Sequence, residues 1–475
     1  MRITAFLLLL IISFSSCSPG DKQKAGSSTD LPNIILLIGD DQGYPYFGFN
    51  GADYMYTPNM DALAKSGMLF SDGYVSDNHC RPSLQTLITG KLPVNIYRKG
   101  FENMYTEIVK NQISPDAMDA FKRTYDRKGM AIASMNTLPK MLSQKGYVSF
   151  QGGKWWEYHY QNGGFTHGMT EGWTAVEQNE PGWFQEHMGG KGMDLARVSN
   201  QAAYDFLEET RGTPFFMWFA PSLPHYPFDA PQKYQDLYKD KDMSESAKKY
   251  YANCSWFDDS WGEMVSYLKD NDLYDNTLIV YVNDNGWEQA PQQEFIDDPM
   301  RSHNGGDKGK GSVYDLSFRS PIIFSWEGRI PKGLRTDALI HSSDIPATIL
   351  DYVGLEVPED FYGISYRKVL DREFENLRVH IVGNAVKSRS SDPNNVMGRT
   401  IEAYWVRMDN WFLRWHATDQ ELELFDLDID PLNLNDVSQE NPSVTNTMLE
   451  IADLYRISYG FDTRIPFLQE MEGKE

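Results

Sequence analysis

Pro32-Asn33-Ile34-Ile35-Leu36-Leu37-Ile38-Gly39-Asp40-Asp41 is the stretch whose reading decides the fold. A short, unbroken apolar run closed by Gly and two acids reads as a strand buried on both faces, as in parallel sheets. Its C-terminal end delivers carboxylates, and open α/β sheets put their ligand sites at that end. Adjacent Asp residues also occur in ordinary solvated turns, so a second segment is needed. Asn276-Thr277-Leu278-Ile279-Val280-Tyr281-Val282-Asn283-Asp284-Asn285-Gly286 supplies it, with an apolar strand, then oxygen ligands, then Gly. Asp40, Asp41, Asp284 and Asn285 form an all-oxygen set, which suits calcium or magnesium rather than zinc.

Further segments extend the pattern. Thr57-Pro58-Asn59-Met60-Asp61-Ala62-Leu63-Ala64 reads as a helix, with Pro and Asp near its start and apolar residues at helical spacing. Cys80-Arg81-Pro82-Ser83 is followed by Thr89-Gly90. Gly153-Lys154-Trp155 comes next, and His225 follows the apolar strand Pro214–Pro221. Lys310-Gly311-Ser312-Val313-Tyr314-Asp315 precedes Arg319-Ser320-Pro321.

Taken in chain order, the segments resemble the formylglycine-dependent sulfatases of the alkaline-phosphatase-like superfamily, over about residues 32 to 437. That family's signature is Cys-x-Pro-Ser-Arg with Thr-Gly beyond it. The resemblance implies that Cys80 is oxidised to formylglycine by a formylglycine-generating maturation enzyme. It further implies calcium on Asp40, Asp41, Asp284 and Asn285, sulfate-binding cations at Lys154 and Lys310, and a leaving-group acid at His225. A placed acid of this kind contributes roughly 10²–10⁴-fold in rate.

Two positions depart from the family. Leu84 stands at the signature Arg, and Trp156 at the His expected two residues after Lys154. Arg81 and His159 are the nearest sequence candidates to compensate, while Trp156 adds an apolar wall. His303 and Arg301 lie in a Gly-containing loop, Gln289 to Lys308, expected to rim the pocket. Arg81, Trp156, His159 and His303 are therefore the expected substrate contacts. The aromatic residues Trp155, Trp156, Tyr158, Tyr160, Phe165, Trp173, Trp183 and Phe184 could stack on sugar rings or pack internally.

Residues 1–16 carry Arg2 and an apolar run too short to span a bilayer, the shape of an export signal. Ser15-Ser16-Cys17 resembles a bacterial lipoprotein cleavage site, which makes Cys17 a candidate lipid-bearing residue and residues 17–31 a tether. The expected location is the periplasm or cell envelope, with membrane contact only through that lipid. Cys17, Cys80 and Cys254 exclude a disulfide framework. The net charge of -23, with no basic stripe, argues against nucleic-acid binding.

The expected architecture is α/β: a mostly parallel sheet sandwiched by helices over residues 32–375, then a smaller C-terminal α+β domain over 376–475. Short strands are expected near 399–408, 411–416 and 421–426, before a helix at 443–455. The expected activity is hydrolysis of sulfate esters, on a sulfated carbohydrate or small molecule. The alternatives are a phosphoester or phosphonate hydrolase on the same fold, and a catalytically silent glycan-binding homologue.

Overall fold

Asn33–Gly39 forms β1, the fourth of five adjacent parallel strands, and every residue of it is buried. The computed structural model describes residues 31–112, 114, 117, 128–173, 182–287, 308–387, 400–416 and 420–459. The expected export signal, residues 17–30 of the tether, and His303 with Arg301 lie outside the described residues.

The other strands of the main sheet are β2 (Met68–Phe70), β4 (Val148–Gly153), β5 (His167–Gly168), β6 (Phe215–Ala220), β7 (Thr277–Asn283), β8 (Ile322–Ser325) and β9 (Leu334–Thr336). Their order is β5-β4-β6-β1-β7-β8-β2-β9. β8 alone runs against its neighbours β7 and β2, so the sheet is mostly parallel, as expected. A two-stranded parallel pair, β3 (Gly73–Tyr74) with β10 (Ile340–His341), lies outside it.

Both faces of the sheet are covered, which is why its strands read as continuous apolar runs. Ile35, Leu37, Met217, Phe219, Ile279 and Tyr281 pack against the helices Pro58–Ser66, Gln201–Glu209 and Glu245–Asp270 through Met60, Leu63, Phe206, Phe257 and Trp261. The alternate residues Ile34, Leu36, Phe216, Trp218 and Val280 are equally buried on the opposite face. The 26-residue helix starts at a Ser244 cap, whose hydroxyl accepts from Ala247 N at 3.2 Å. Cys254 lies buried within it.

The C-terminal sheet is antiparallel, in the order β11 (His380–Lys387), β12 (Thr400–Met408), β13 (Trp411–His416), β14 (Glu421–Asp426). The last three strands match the expectation, while β11 was not foreseen. Tyr404, Val406, Leu413 and Leu424 pack on Met448, Ala452 and Tyr455 of the closing helix Pro442–Tyr459. Trp405 and Arg407 point the other way. Trp405 packs on Phe318 at 4.6 Å, and Arg407 donates to Tyr74 Oη at 2.9 Å and Asp72 Oδ2 at 2.7 Å. That side of the sheet thereby docks on the larger layer. No described helix is long and apolar enough to cross a membrane.

Candidate active site

Four parallel strands end side by side, and the residues just past their ends carry the polar groups. Gly39 pairs with Asn283 in register, so Asp40 and Asp41 leave β1 beside Asp284 and Asn285 leaving β7. Gly153 pairs with Ala220, which puts Lys154 at the end of β4 beside the β6 segment leading to His225. Gly153 adopts φ 87°, and a Cβ there would stand 1.8 Å from Ala220 O. Only glycine fits that approach. Lys154 N then donates to Ala220 O at 2.7 Å.

Cys80 opens the helix Cys80–Thr89, which ends at Gly90 with φ 68°. The loop before it binds the segment carrying Lys310: Gly311 N donates to Asn78 O at 3.2 Å, and Asn78 Nδ2 to Ser312 O at 2.8 Å. Cys80 Sγ lies 3.9 Å from Asp41 Oδ1 and is 7% exposed. Lys310 Nζ donates to Asp41 Oδ2 at 2.7 Å. Lys154 Nζ bridges Asp40 Oδ1 at 2.5 Å and Asp284 Oδ2 at 3.4 Å. His225 Nε2 is 3.6 Å from Asp41 Oδ2, and Nδ1 donates to Tyr226 O at 2.5 Å.

Several residues that the sequence did not single out hold this arrangement. Tyr250 Oη donates to Asp41 O at 2.7 Å and accepts from Gly43 N at 3.1 Å, fixing the turn in which Asp41 has φ 63°. Arg197 Nη2 donates to His225 O at 2.7 Å, and Asn253 Nδ2 to Pro227 O at 3.0 Å. Buried Glu157 accepts from Arg81 Nε and Nη2, both at 2.9 Å, and from Gln85 Nε2 at 2.8 Å. The sequence signal for Glu157 is only its place three residues after Lys154.

Burial and charge set the protonation states in opposite directions. Burial pushes Asp284 up to about 7 against the pull of Lys154, and it also raises Asp40. For Asp41 burial acts the same way, but Lys310, His225 and Lys154 outweigh it and hold the carboxyl below its ordinary range. Burial lowers His225 to about 3 against Asp41, with the nearby ammonium groups adding to the shift. It drives the Cys80 thiol well above its ordinary value, so the unmodified side chain is no thiolate at neutral pH.

The residues fit a hard divalent cation. Asp40, Asp41 and Asp284 bring three carboxylates against the two ammonium groups of Lys154 and Lys310. Asp40 Oδ2 and both polar side-chain atoms of Asn285 are buried with no hydrogen-bond partner among the described residues. Buried polar atoms in that state call for a ligand, and oxygen donors of this kind suit calcium or magnesium. Geometry adds something the sequence reading lacked. Cys80 and His225 each present a ligating atom within 4.8 Å of Asp40 and Asp41. The donor set stays hard only if the thiol is converted or left out.

The profile of the sulfatase family matches residues 32–355, the span holding every residue just described. The chain belongs to the sulfatase family. A second profile, "N-sulphoglucosamine sulphohydrolase, C-terminal", matches residues 306–454, which include the antiparallel sheet. The sulfatase is 28% identical over 386 residues to N-acetylgalactosamine-6-sulfatase of Canis lupus familiaris, covering 75% of this chain and 68% of that protein. It is 24% identical over 513 residues to the arylsulfatase of Clostridium perfringens (strain 13 / Type A), covering 94% and 95%. Its fold matches a solved structure in complex with its substrate, D-glucosamine-2-N,6-O-disulfate, with a TM-score of 0.67 and 19% identity, covering 90% and 98%. The enzyme is a sulfuric ester hydrolase with the alkaline-phosphatase-like fold.

The two departures of this sulfatase meet in space. Leu84 and Trp156 line one cavity of about 10 Å³ with Arg81, Gln85, Ile88, Trp155 and Glu157. His159 is engaged elsewhere: Nδ1 accepts from Gln161 N at 3.2 Å, and the ring packs on Tyr160 at 4.5 Å.

Proposed function

We propose that this sulfatase cleaves sulfate esters on a sulfated carbohydrate, with formylglycine at Cys80 and calcium at the strand ends. The observation that carries the reading is the convergence of Cys80, Asp41, Lys310 and His225 in one buried cluster beside Lys154. Oxidised to formylglycine and hydrated, Cys80 would supply a nucleophilic hydroxyl for sulfur and a second hydroxyl whose collapse frees sulfate. Asp40, Asp41, Asp284 and Asn285 would hold the calcium ion, whose Lewis acidity would act on a sulfate oxygen.

The chain's own groups do the rest. Lys154 and Lys310 neutralise the non-bridging oxygens as fixed charges in a water-poor site. His225 stands neutral, with Nδ1–H held by Tyr226 O and Nε2 open to a proton. A sulfate anion seated between the ammonium groups offsets part of what presses the ring down, so Nε2 can carry the proton the leaving oxygen needs. Asp41, kept ionised, lies close enough to Cys80 to take a proton from its hydroxyl. The raised pKa of unmodified Cys80 weighs against direct thiolate attack.

The carbohydrate part draws on relatives named for N-acetylgalactosamine 6-sulfate and on the fold shared with a glucosamine disulfate complex. Export and lipid attachment at Cys17 belong to the same proposal, read from incorporation of labelled fatty acid. The deciding experiment is the mass of the Cys80 peptide from native-host protein, with turnover of sulfated sugars measured on the same preparation. The aldehyde mass with release of sulfate supports the reading. Unmodified Cys80 with no turnover overturns it and favours the silent binding homologue. Faster turnover of phosphate esters than sulfate esters would favour the phosphoester alternative.

A further inference from the structure

Most aromatic residues between positions 155 and 184 serve packing. Trp155 is buried and meets Trp218 edge-on at 5.9 Å, and Phe165 stacks on Phe216 at 6.1 Å. Tyr158 abuts Trp173, which lies against His187 at 4.4 Å. Phe184 is different. It sits on the short helix Trp183–Met188 and is 44% exposed.

The Phe184 ring lies 6.2 Å from that of His225, with the planes 26° apart. It also meets Trp156 edge to face at 5.7 Å. His225 Nε2 is in turn 3.6 Å from Asp41. An exposed apolar ring therefore adjoins the side chain that faces the buried acid cluster, and Trp156 continues that wall toward Arg81 and Leu84.

The position restricts what can be bound there. A leaving oxygen protonated by His225 must come within about 3 Å of Nε2. The side chains flanking His225 are then within reach of the carbon skeleton attached to that oxygen, and the exposed Phe184 ring, 6.2 Å away, is one of them. Aromatic faces favour flat, C–H-rich surfaces, because burying them removes apolar area from water at roughly 25 cal/mol per Å². A pyranose offers such a face, whereas a compact ester such as methyl sulfate has nothing to lay across it.

We propose that Phe184 is a specificity-determining residue that receives the apolar face of the pyranose whose sulfate ester is cleaved, seating the leaving oxygen at His225. The proposal rests on the sulfate-ester reading above and names the substrate class at that site.

The test is calorimetric binding of the 6-sulfates of galactose, N-acetylgalactosamine and N-acetylglucosamine, with methyl sulfate as the ringless comparison. The proteins are wild type, Phe184→Ala and Phe184→Tyr, with turnover of the same compounds recorded in parallel. Phe184→Ala should cut the preference for at least one sugar ester over methyl sulfate by about three- to tenfold, and Phe184→Tyr should retain it. Where turnover occurs, the loss should appear in KM with kcat changed less. An unchanged preference, equal loss for sugar and methyl esters, or no sugar binding by wild type would overturn the assignment. Binding without any turnover would sink the sulfate-ester reading while still deciding the role of Phe184.

Discussion

Arg81 and Glu157 meet as a bidentate ion pair, with Nε and Nη2 each 2.9 Å from opposite carboxylate oxygens. The pair joins the helix that begins at Cys80 to the segment that follows Lys154. Arg81 is thus held by a buried carboxylate, and its geometry fits a positioning residue better than a substitute cation at Leu84. Gln85 reinforces the same carboxylate from one turn further along the helix.

Removing Arg81 should be worse for stability than its partial exposure suggests. Arg81→Ala leaves the buried Glu157 carboxylate without its charge partner and is expected to lower stability by about 3 kcal/mol. Arg81→Lys should recover only part, because a point charge cannot reproduce the planar fork. Urea unfolding of the three proteins checks this, and equal stability of Arg81→Ala and wild type would refute it.

Restoring the family residue at position 84 should not restore family behaviour. Leu84→Arg forces a guanidinium into a cavity of about 10 Å³ bordered by Ile88, Trp155 and Trp156. Overpacking of this kind costs about 1–3 kcal/mol before any charge is considered. Thermal melting should show a lower midpoint, and the double change with Trp156→His should recover part of the loss because the two side chains share that space.

The contribution of His341 to stability should fall as the solution is acidified through the histidine range, while buried Asp284, raised to about 7, works in the opposite direction. His341 is buried, its Nδ1 accepts from Ser343 N at 3.2 Å, and burial together with Arg378 holds it well below 6.5. The unfolded chain takes up a proton below about pH 6.5, where the folded chain does not. The contribution is therefore full above that value and is lost as pH drops. His225, lowered to about 3, adds in the same direction. The change in urea midpoint from pH 7.5 to 5.5 should be more favourable in His341→Asn than in wild type, and an identical change in the two proteins would refute it.

Metal removal gives the sharpest chemical test. Chelation should abolish turnover, and calcium or magnesium should restore it better than zinc. Asp284→Ala should lower kcat about a hundredfold or more while the protein stays folded. Protein in which Cys80 remains a thiol should shift toward zinc, because sulfur and imidazole then lie within reach of the carboxylates. Full activity after exhaustive chelation would contradict the assigned ligands.

Much of the fold was legible because two apolar strands ending in acids leave a strong sequence signal, and both occupy central places in the sheet. The covering helix Pro58–Ser66 was equally readable, because Pro58 and Asp61 stand near its start and apolar residues recur at helical spacing. The antiparallel direction of β8 was not legible, since its four buried residues, three of them apolar, carry no mark of direction. At the site, Asp40, Asp41, Lys154, His225 and Lys310 came from motifs and do converge. Glu157, Arg197, Asn253 and Tyr250 did not, because single polar residues anchoring loops have no spacing to betray them. Phe184 stood among eight aromatics in the sequence, and what singles it out is a ring that is both exposed and beside His225.

Asp41 N donates to Asp284 Oδ1 across 243 residues of chain, and Lys310 reaches Asp41 across 269. No local segment owns the constellation, so a half-folded intermediate has no affinity for what the finished sheet binds. A ligand taken up there draws on the whole folding equilibrium, worth about 2.7 kcal/mol at a hundred times its Kd. Saturating the strand ends should accordingly lift one cooperative melting transition of the entire assembly, where a loop-borne site would merely quieten its own surroundings.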